Sequence, residues 1–342
     1  MATIKDVAKI AGVSPSTVSR VVAGSSRISN RTKERVWRAM EEVHYVPNAI
    51  ARSLARSHTR TVGFTLSRQA DQAFSNPFFS EVLRGMSSAA QTRDYNILLS
   101  ISMNQEEEGE KCLQLIRERR VDGLIVSTSR VKDSLIPILE REGTPFVIIG
   151  RSAEVPALSV NNDNQQASYQ ATRHLLDQGY RNVAFISGPE DLVVSMDRLQ
   201  GYKQALLEQG FPFREERVVS ADFSEEGGFR ALYSLKERGV FFDAVLAADD
   251  LFALGTLRYA KHFHLSVPEE LGVVGFNDTP LMTYTDPPLT SVRILSYELG
   301  REAMELLMDR LGHAGRQPMN KEVVLPSRLE VRQSSLRRTG SV

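Results

Sequence analysis

Two spacings of hydrophobic residues alternate along this chain, and they change over near position 60. In the first 45 residues apolar positions recur every three or four, the period of helices with one buried face. Ile4, Val7, Ala8 and Ala11 share such a face, with Thr3 placed to cap the helix and Gly12 to end it at positive φ. A second helix starts almost at once, with Ser14 as cap and Pro15 at the first helical position, where its missing N–H costs nothing. Ser29 and Asn30 open a third, whose Val36, Met40 and Val43 close a small core over the other two. Two helices joined by three or four residues around a glycine form a helix-turn-helix. The second carries Ser16, Thr17, Ser19 and Arg20 along a polar side. Short hydroxyls and a guanidinium suit base edges and phosphates in a major groove about 12 Å wide.

From Tyr45 to Arg60 the pattern becomes YVPNAIARSLARSHTR. Pro47 stops the preceding helix, and Asn48 can cap a short one over 49–55. About two turns are too few for stability alone in water. The stretch reads either as a basic linker or as a segment that becomes helical against DNA, with Ile50 or Leu54 available to wedge into the minor groove.

Beyond position 60, short β-branched runs alternate with amphipathic helices. The runs are TVGFTL (61–66), ILLSI (97–101), GLIVS (123–127), PFVIIG (145–150), VAFIS (183–187), AVLA around Val245, and GVVGF (272–276). Continuous apolar strands of this kind are buried on both faces, as in a parallel sheet. About seven with helical crossovers predict a doubly wound α/β body. That number over some 280 residues is more easily housed in two lobes, with VNNDN (160–164) as a crossing point. Ligands bind beyond the carboxyl ends of such strands, between the lobes where there are two.

Charge sharpens this division. The 342 residues are formally neutral, yet positions 1–60 hold eleven Lys/Arg against four Asp/Glu, +7, which leaves −7 on the remainder. A basic head on an acidic body suits a polyanion-binding module joined to a ligand-handling one, although a solvated helical face gives the same count. Cys112 is the single cysteine, so no intrachain disulfide framework or multi-cysteine metal site can form. No export signal is read at the start, and no apolar run approaches the ~20 residues that cross a bilayer, so a cytoplasmic, membrane-free protein is expected.

Catalytic signatures are missing. No G-x-G-x-x-G follows a strand, and Walker A, G-x-S-x-G and H-E-x-x-H do not occur. The six histidines lack metal-ligand spacing. No enzyme activity, catalytic residue, cofactor or metal is expected.

TIKDVAKIAGVSPSTVSRVV, then ISNRTKERVWRAMEEVHYVPNAIARSLA and TRTVGFTL, closely resemble the LacI/GalR family of bacterial transcription regulators. The likeness continues through NPFFSEVLRGM, VDGLIV, VNNDN, HLLDQGYRNVAFISGP, DRLQGY, DDLFALG, VVGFND and PPLTSVR to RLEVRQSS, nearly the whole chain. The resemblance implies a helix-turn-helix head over 1–46, a hinge helix and linker over 47–60, and a body over 61–342 like periplasmic sugar-binding proteins. Its lobes would lie near 61–160 plus 291–322, and 161–290 plus 323–342.

By that likeness Pro15, Ser16 and Arg20 fall where recognition helices read bases, with Thr17 and Ser19 nearby. Thr3, Ser14, Ser29, Asn30, Tyr45 and Asn48 join them as DNA-side candidates. Leu54, beside Ala51, falls on the leucine that wedges into the centre of a palindrome. Proline and serine at 15 and 16 offer little bidentate hydrogen bonding, so base reading here leans less on those two side chains. In the cleft the resemblance places Arg198 on effector hydroxyls or an anionic group, and Asp249 and Asn277 at two further polar contacts. Many relatives carry Asp at the last position; the amide suits neutral hydroxyls. Phe78 and Phe79 lie where a ring can cover a sugar face, one of them being core, and Arg151 is a further candidate. VIIGR, VNNDNQ and NPFFSEVLRG look most like regulators responding to maltose or maltodextrins. The expected partners are therefore a pseudopalindromic operator in double-stranded DNA, a sugar-like effector and a second copy of the chain, a plain dimer since no heptad tail follows RLEVRQSS. The competing expectation is a sugar-sensing module whose head meets a protein.

Overall fold

The computed structural model describes residues 2–45, 58–67, 75–127, 129–313 and 321–337. The head is three helices, α1 (Ile4–Ala11), α2 (Pro15–Val22) and α3 (Asn30–Glu42). Gly12 ends α1 at φ 61°, and the Ser14 hydroxyl accepts the Thr17 N–H at 3.2 Å to start α2. Between them the chain turns within three residues. Val7, Ala8, Ala11, Val18, Val21, Val36, Ala39 and Met40 form its own small core.

The body contains two sheets of six strands among the described residues. The chain lays down β1 (Thr61–Ser67), α4 (Pro77–Thr92), β2 (Asn96–Ser102), α5 (Gln105–Arg117), β3 (Gly123–Val126), α6 (Leu135–Arg141), β4 (Phe146–Ile149) and β5 (Ser159–Asn162). It then crosses to α7 (Asn164–Asp177), β6 (Val183–Ser187), α8 (Val193–Glu208), β7 (Val218–Ser220), α9 (Glu225–Glu237), β8 (Ala244–Ala247), α10 (Asp250–His262), β9 (Gly272–Asn277) and β10 (Thr290–Arg293). It returns for α11 (Ser296–Gly312) and β11 (Glu322–Leu325), and finishes the second sheet with β12 (Arg328–Glu330). The orders are β11-β5-β4-β3-β1-β2 and β12-β10-β9-β8-β6-β7. All described pairings are parallel except β10 with β12.

The crossovers exchange helices. After β5 of the first sheet, α7 packs on α8 of the second lobe; after β10 of the second sheet, α11 packs on α4 of the first. Both helix pairs meet at a glycine. A Cβ on Gly85 would lie 1.9 Å from the Tyr297 carbonyl oxygen, and one on Gly201 would lie 2.0 Å from that of Gln165. Only glycine lets the backbones approach so closely.

Sheet membership carries the crossings to Asn162, Arg293 and Leu325, two or three residues beyond the sequence expectation in each case. Five short strands, β5, β7, β10, β11 and β12, join the seven expected runs. One run differs from its reading: β2 is half-exposed along most of its length, because it is an edge strand paired only with β1. On α8, Met196 is 39% exposed, while Tyr202 and Leu206 are buried.

Candidate functional site

One cavity lies between the lobes, walled by residues at the carboxyl ends of β3, β4, β5, β8 and β9 and at the N-termini of α4 and α8. This is where a parallel sheet presents loops and helix starts to a ligand. Phe78, Phe79, Arg151, Arg198, Asp249 and Asn277 all line it, six positions drawn from both lobes.

Arg198 is its most constrained group. It stands on α8 at 7% exposure, with Nε donating to Asn164 Oδ1 at 2.9 Å and Nη1 to the Ala248 carbonyl at 2.6 Å. Its guanidinium lies 4.0 Å over the Phe276 ring. Nη2 bonds to none of the described residues. Loss of hydration pulls its pKa down to about 10, with Asp249, Asp250 and Asp197 opposing the fall, so it stays cationic at neutral pH. Asn164 is itself held, its Nδ2 donating to Asn161 Oδ1 and the Asn162 carbonyl at 3.2 and 3.1 Å.

Asp249 caps α10, accepting the Leu251 N–H at 2.9 Å. Its other oxygen receives the Asn277 amide at 3.0 Å and, across the cleft, the Asn76 amide at 3.1 Å. The Asn277 amide is thus spent on a carboxylate, and the residue sits at φ 109°, which bends the chain at the end of β9. Behind it the buried Asp250 accepts the Ser291 hydroxyl at 2.6 Å and the Thr279 N–H at 3.0 Å. Burial pushes this carboxyl up to about 8, so at neutral pH it is largely protonated.

Arg151 of the first lobe meets Asp197 of the second in a two-pronged ion pair, Nε to Oδ2 at 2.9 Å and Nη2 to Oδ1. Nearby, Val131 N–H donates to the Asp191 carbonyl at 2.8 Å, Val193 N–H to that of Ser129 at 3.1 Å, and Arg130 pairs with Asp191. These bonds join the lobes along the side chains and loops that border the cavity. Phe78 and Phe79 meet edge to face at 5.2 Å; Phe79 is buried in the core and Phe78 is half-buried.

Sequence reasoning did not find Asn76, Asn161, Asn164, Asp197 or Phe223, all of which line the cavity. The amides sit at strand ends and helix starts, where no periodicity singles them out. Asp197 adjoins Arg198 within DRLQGY, and that adjacency was the available signal.

In the head, Pro15, Ser16 and Arg20 are exposed on α2, with Thr17 and Ser19 half-buried. Five of the candidate hydroxyls, Thr3, Ser14, Ser16, Thr17 and Ser29, also serve locally. Thr3 donates to the Asp6 carboxylate at 2.7 Å, Ser14 lies 2.8 Å from Ser16 and 2.9 Å from Thr17, and Ser29 accepts the Thr32 N–H at 3.3 Å. Asn30 begins α3 exposed, and Tyr45 packs against the head core. Asn48, Ala51 and Leu54 lie outside the described residues.

Comparison with known proteins decides the lineage. Residues 3–48 match the model of bacterial regulatory proteins of the lacI family, and 172–335 match that of the periplasmic binding protein-like domain. The HTH-type transcriptional regulator CelR of Thermobifida fusca is 36% identical over 335 residues, 97% of this chain and 98% of its own. The chain belongs to the lacI family of bacterial regulatory proteins. The regulator MalR of Streptococcus pneumoniae serotype 4 is 39% identical over 311 residues, 90% of this chain and 92% of MalR. A solved CelR–cellobiose complex aligns at TM-score 0.76 with 35% identity, covering 98% of this chain and all of that one. The lac repressor dimer bound to operator and an anti-inducer aligns at 0.84 with 27% identity, covering 98% and 99%. This lacI-family protein is a DNA-binding transcription regulator with a helix-turn-helix head and a two-lobed α/β body. Among its described residues no helix is long and apolar enough to cross a membrane.

Proposed function

We propose that this regulator is a cytoplasmic homodimer that represses carbohydrate-use genes, and that its effector is a small neutral sugar held between the lobes, with maltose and maltodextrins the first candidates. The observation that carries this reading is the convergence of Phe78, Phe79, Arg151, Arg198, Asp249 and Asn277 on one cavity. Aromatic faces for the apolar side of a sugar ring stand there with fixed amides, a carboxylate and a buried guanidinium for its hydroxyls. The MalR and CelR relatives, the latter solved with cellobiose, support a disaccharide.

Two heads, each presenting α2, would grip the half-sites of a pseudopalindrome, since a twofold protein asks for twofold DNA. Pro15, Ser16, Thr17, Ser19 and Arg20 face the bases or nearby phosphates. Thr3, Ser14, Ser29, Asn30, Tyr45 and Asn48 hold or contact the backbone, and Leu54 beside Ala51 supplies the wedge. Lobe closure on the sugar changes the spacing of the segments leading to the heads, coupling effector and operator by about 1–3 kcal/mol.

Selection of bound sequences from random duplexes, with and without a sugar panel that includes maltose and cellobiose, tests the whole reading. A palindromic consensus whose recovery shifts with one sugar supports it; no consensus, or one indifferent to every sugar, contradicts it. In the selected operator, Leu54→Ala weakens gel-shift affinity, and an unchanged affinity removes the wedge.

A further inference from the structure

The cavity wall carries four ionisable side chains, Arg151, Asp197, Arg198 and Asp249, two of each sign. Both guanidinium groups are already engaged. Arg151 gives Nε and Nη2 to Asp197, the same two-nitrogen edge with which an arginine grips a phosphate or carboxylate. Arg198 gives Nε and Nη1 to Asn164 and Ala248, which leaves single-point contact through Nη2. The amides of Asn76 and Asn277 both donate to Asp249. An incoming anion therefore finds its donors occupied and two carboxylates on the wall. A hydroxyl, which donates and accepts, can take Nη2 of Arg198 or donate to a carboxylate oxygen without displacing any of these bonds.

We propose that the Arg151–Asp197 pair is a charge filter across the cleft, with Asp197 the specificity-determining residue, so that the site admits a neutral sugar and excludes its phosphorylated counterpart. The inference rests on the sugar reading above and deepens it. Asp197 belongs to α8 of the second lobe and Arg151 follows β4 of the first, so the filter is assembled only when the lobes meet, and it closes the edge of Arg151 as they do so. Removing the carboxylate while keeping its shape frees that edge for an anion. Removing the guanidinium leaves an uncompensated carboxylate on the wall, which repels one.

Calorimetry on the full-length protein with maltose, cellobiose and their 6′-phosphates tests this. At least one neutral disaccharide binds, and its 6′-phosphate binds at least about a hundredfold more weakly. Asp197→Asn narrows that gap to under about tenfold, whereas Arg151→Gln widens it. Opposite shifts in a ratio are not produced by general damage to the cleft, which weakens both ligands together. If Asp197→Asn fails to fold, Arg151→Gln carries the test alone and the gap must widen. Equal wild-type affinities, or a gap that neither variant moves, overturn the filter and leave the sugar reading standing. No binding by any of the four probes overturns both.

Discussion

The two lobes are built to one plan and bring different chemistry to the cavity. In order, β11-β5-β4-β3-β1-β2 matches β12-β10-β9-β8-β6-β7, with β12 alone among the described strands running antiparallel, each lobe is completed by a helix arriving from the other, and each helix pair crosses on a glycine. Each lobe also buries a carboxyl held up by lost hydration, Glu108 at about 7 in the first and Asp250 at about 8 in the second. At the cavity the likeness stops. The first lobe supplies Phe78, Phe79, Asn76 and Arg151; the second supplies Arg198, Asp197, Asp249 and Asn277. Phe78 and Arg151 from the first lobe and Arg198 and Asp249 from the second face one cavity, so neither lobe is a site alone. Closure creates one, which is how occupancy of a small cavity can be felt by a distant head.

That comparison is tested most severely at Arg198, the second lobe's anchor. Arg198→Met leaves Asn164 and the Ala248 carbonyl without their buried donor and costs roughly 3 kcal/mol of effector affinity, about a hundredfold, while operator affinity in the absence of sugar is kept. Full sugar binding by calorimetry would show that the anchor lies elsewhere. Next come the glycines. If the lobes are equivalent in packing, Gly85→Ala and Gly201→Ala each destabilise by about 2–3 kcal/mol in denaturant titrations, and a silent member of the pair would break the equivalence.

A smaller effect follows from the paired carboxyls. The native state keeps protons on Glu108 and Asp250 that the unfolded chain releases near 4, so stability falls as pH rises from about 4 to about 8 and then levels. Each group contributes a slope of about 1.4 kcal/mol per pH unit at most. Glu108→Gln leaves only the Asp250 decline between about 4 and about 8, and Asp250→Asn leaves only the Glu108 decline, which levels near 7; slopes identical to the wild type in both would refute the burial argument. The smallest effect lies in the head, where Ser14→Ala loses the cap of α2 and about 1 kcal/mol of head stability, visible as faster amide exchange in α2 than in α3.

Much of this was legible because burial and periodicity speak together. The head helices follow their caps and three-four spacing, and β1, β3, β4, β6, β8 and β9 are apolar runs buried throughout or nearly so. The five further strands escaped for a common reason: they are short, and β5, reading SVNN, is buried with two asparagines in it. Those amides are tolerated because Asn161 and Asn162 donate to Glu322 and the Leu325 carbonyl of β11, a partner 160 residues away in sequence that no local pattern announces. A similar distance hid Asn76, 173 residues from Asp249, and even the 34 residues between Asn164 and Arg198 carry no local pattern that pairs them. Arg151 was visible as a cation near the cleft, but its meaning depends on Asp197 in the other lobe.

The central claim is that cavity and head share one free energy. Its direct test is operator affinity of the full-length protein, measured by fluorescence anisotropy across a titration of the sugar that calorimetry shows to bind, with Arg198→Met in parallel. A change of about five- to 150-fold in wild-type operator affinity, saturating with the calorimetric isotherm and lost in the variant, is the expected result. A wild-type operator affinity that stays constant while the cavity fills would contradict it.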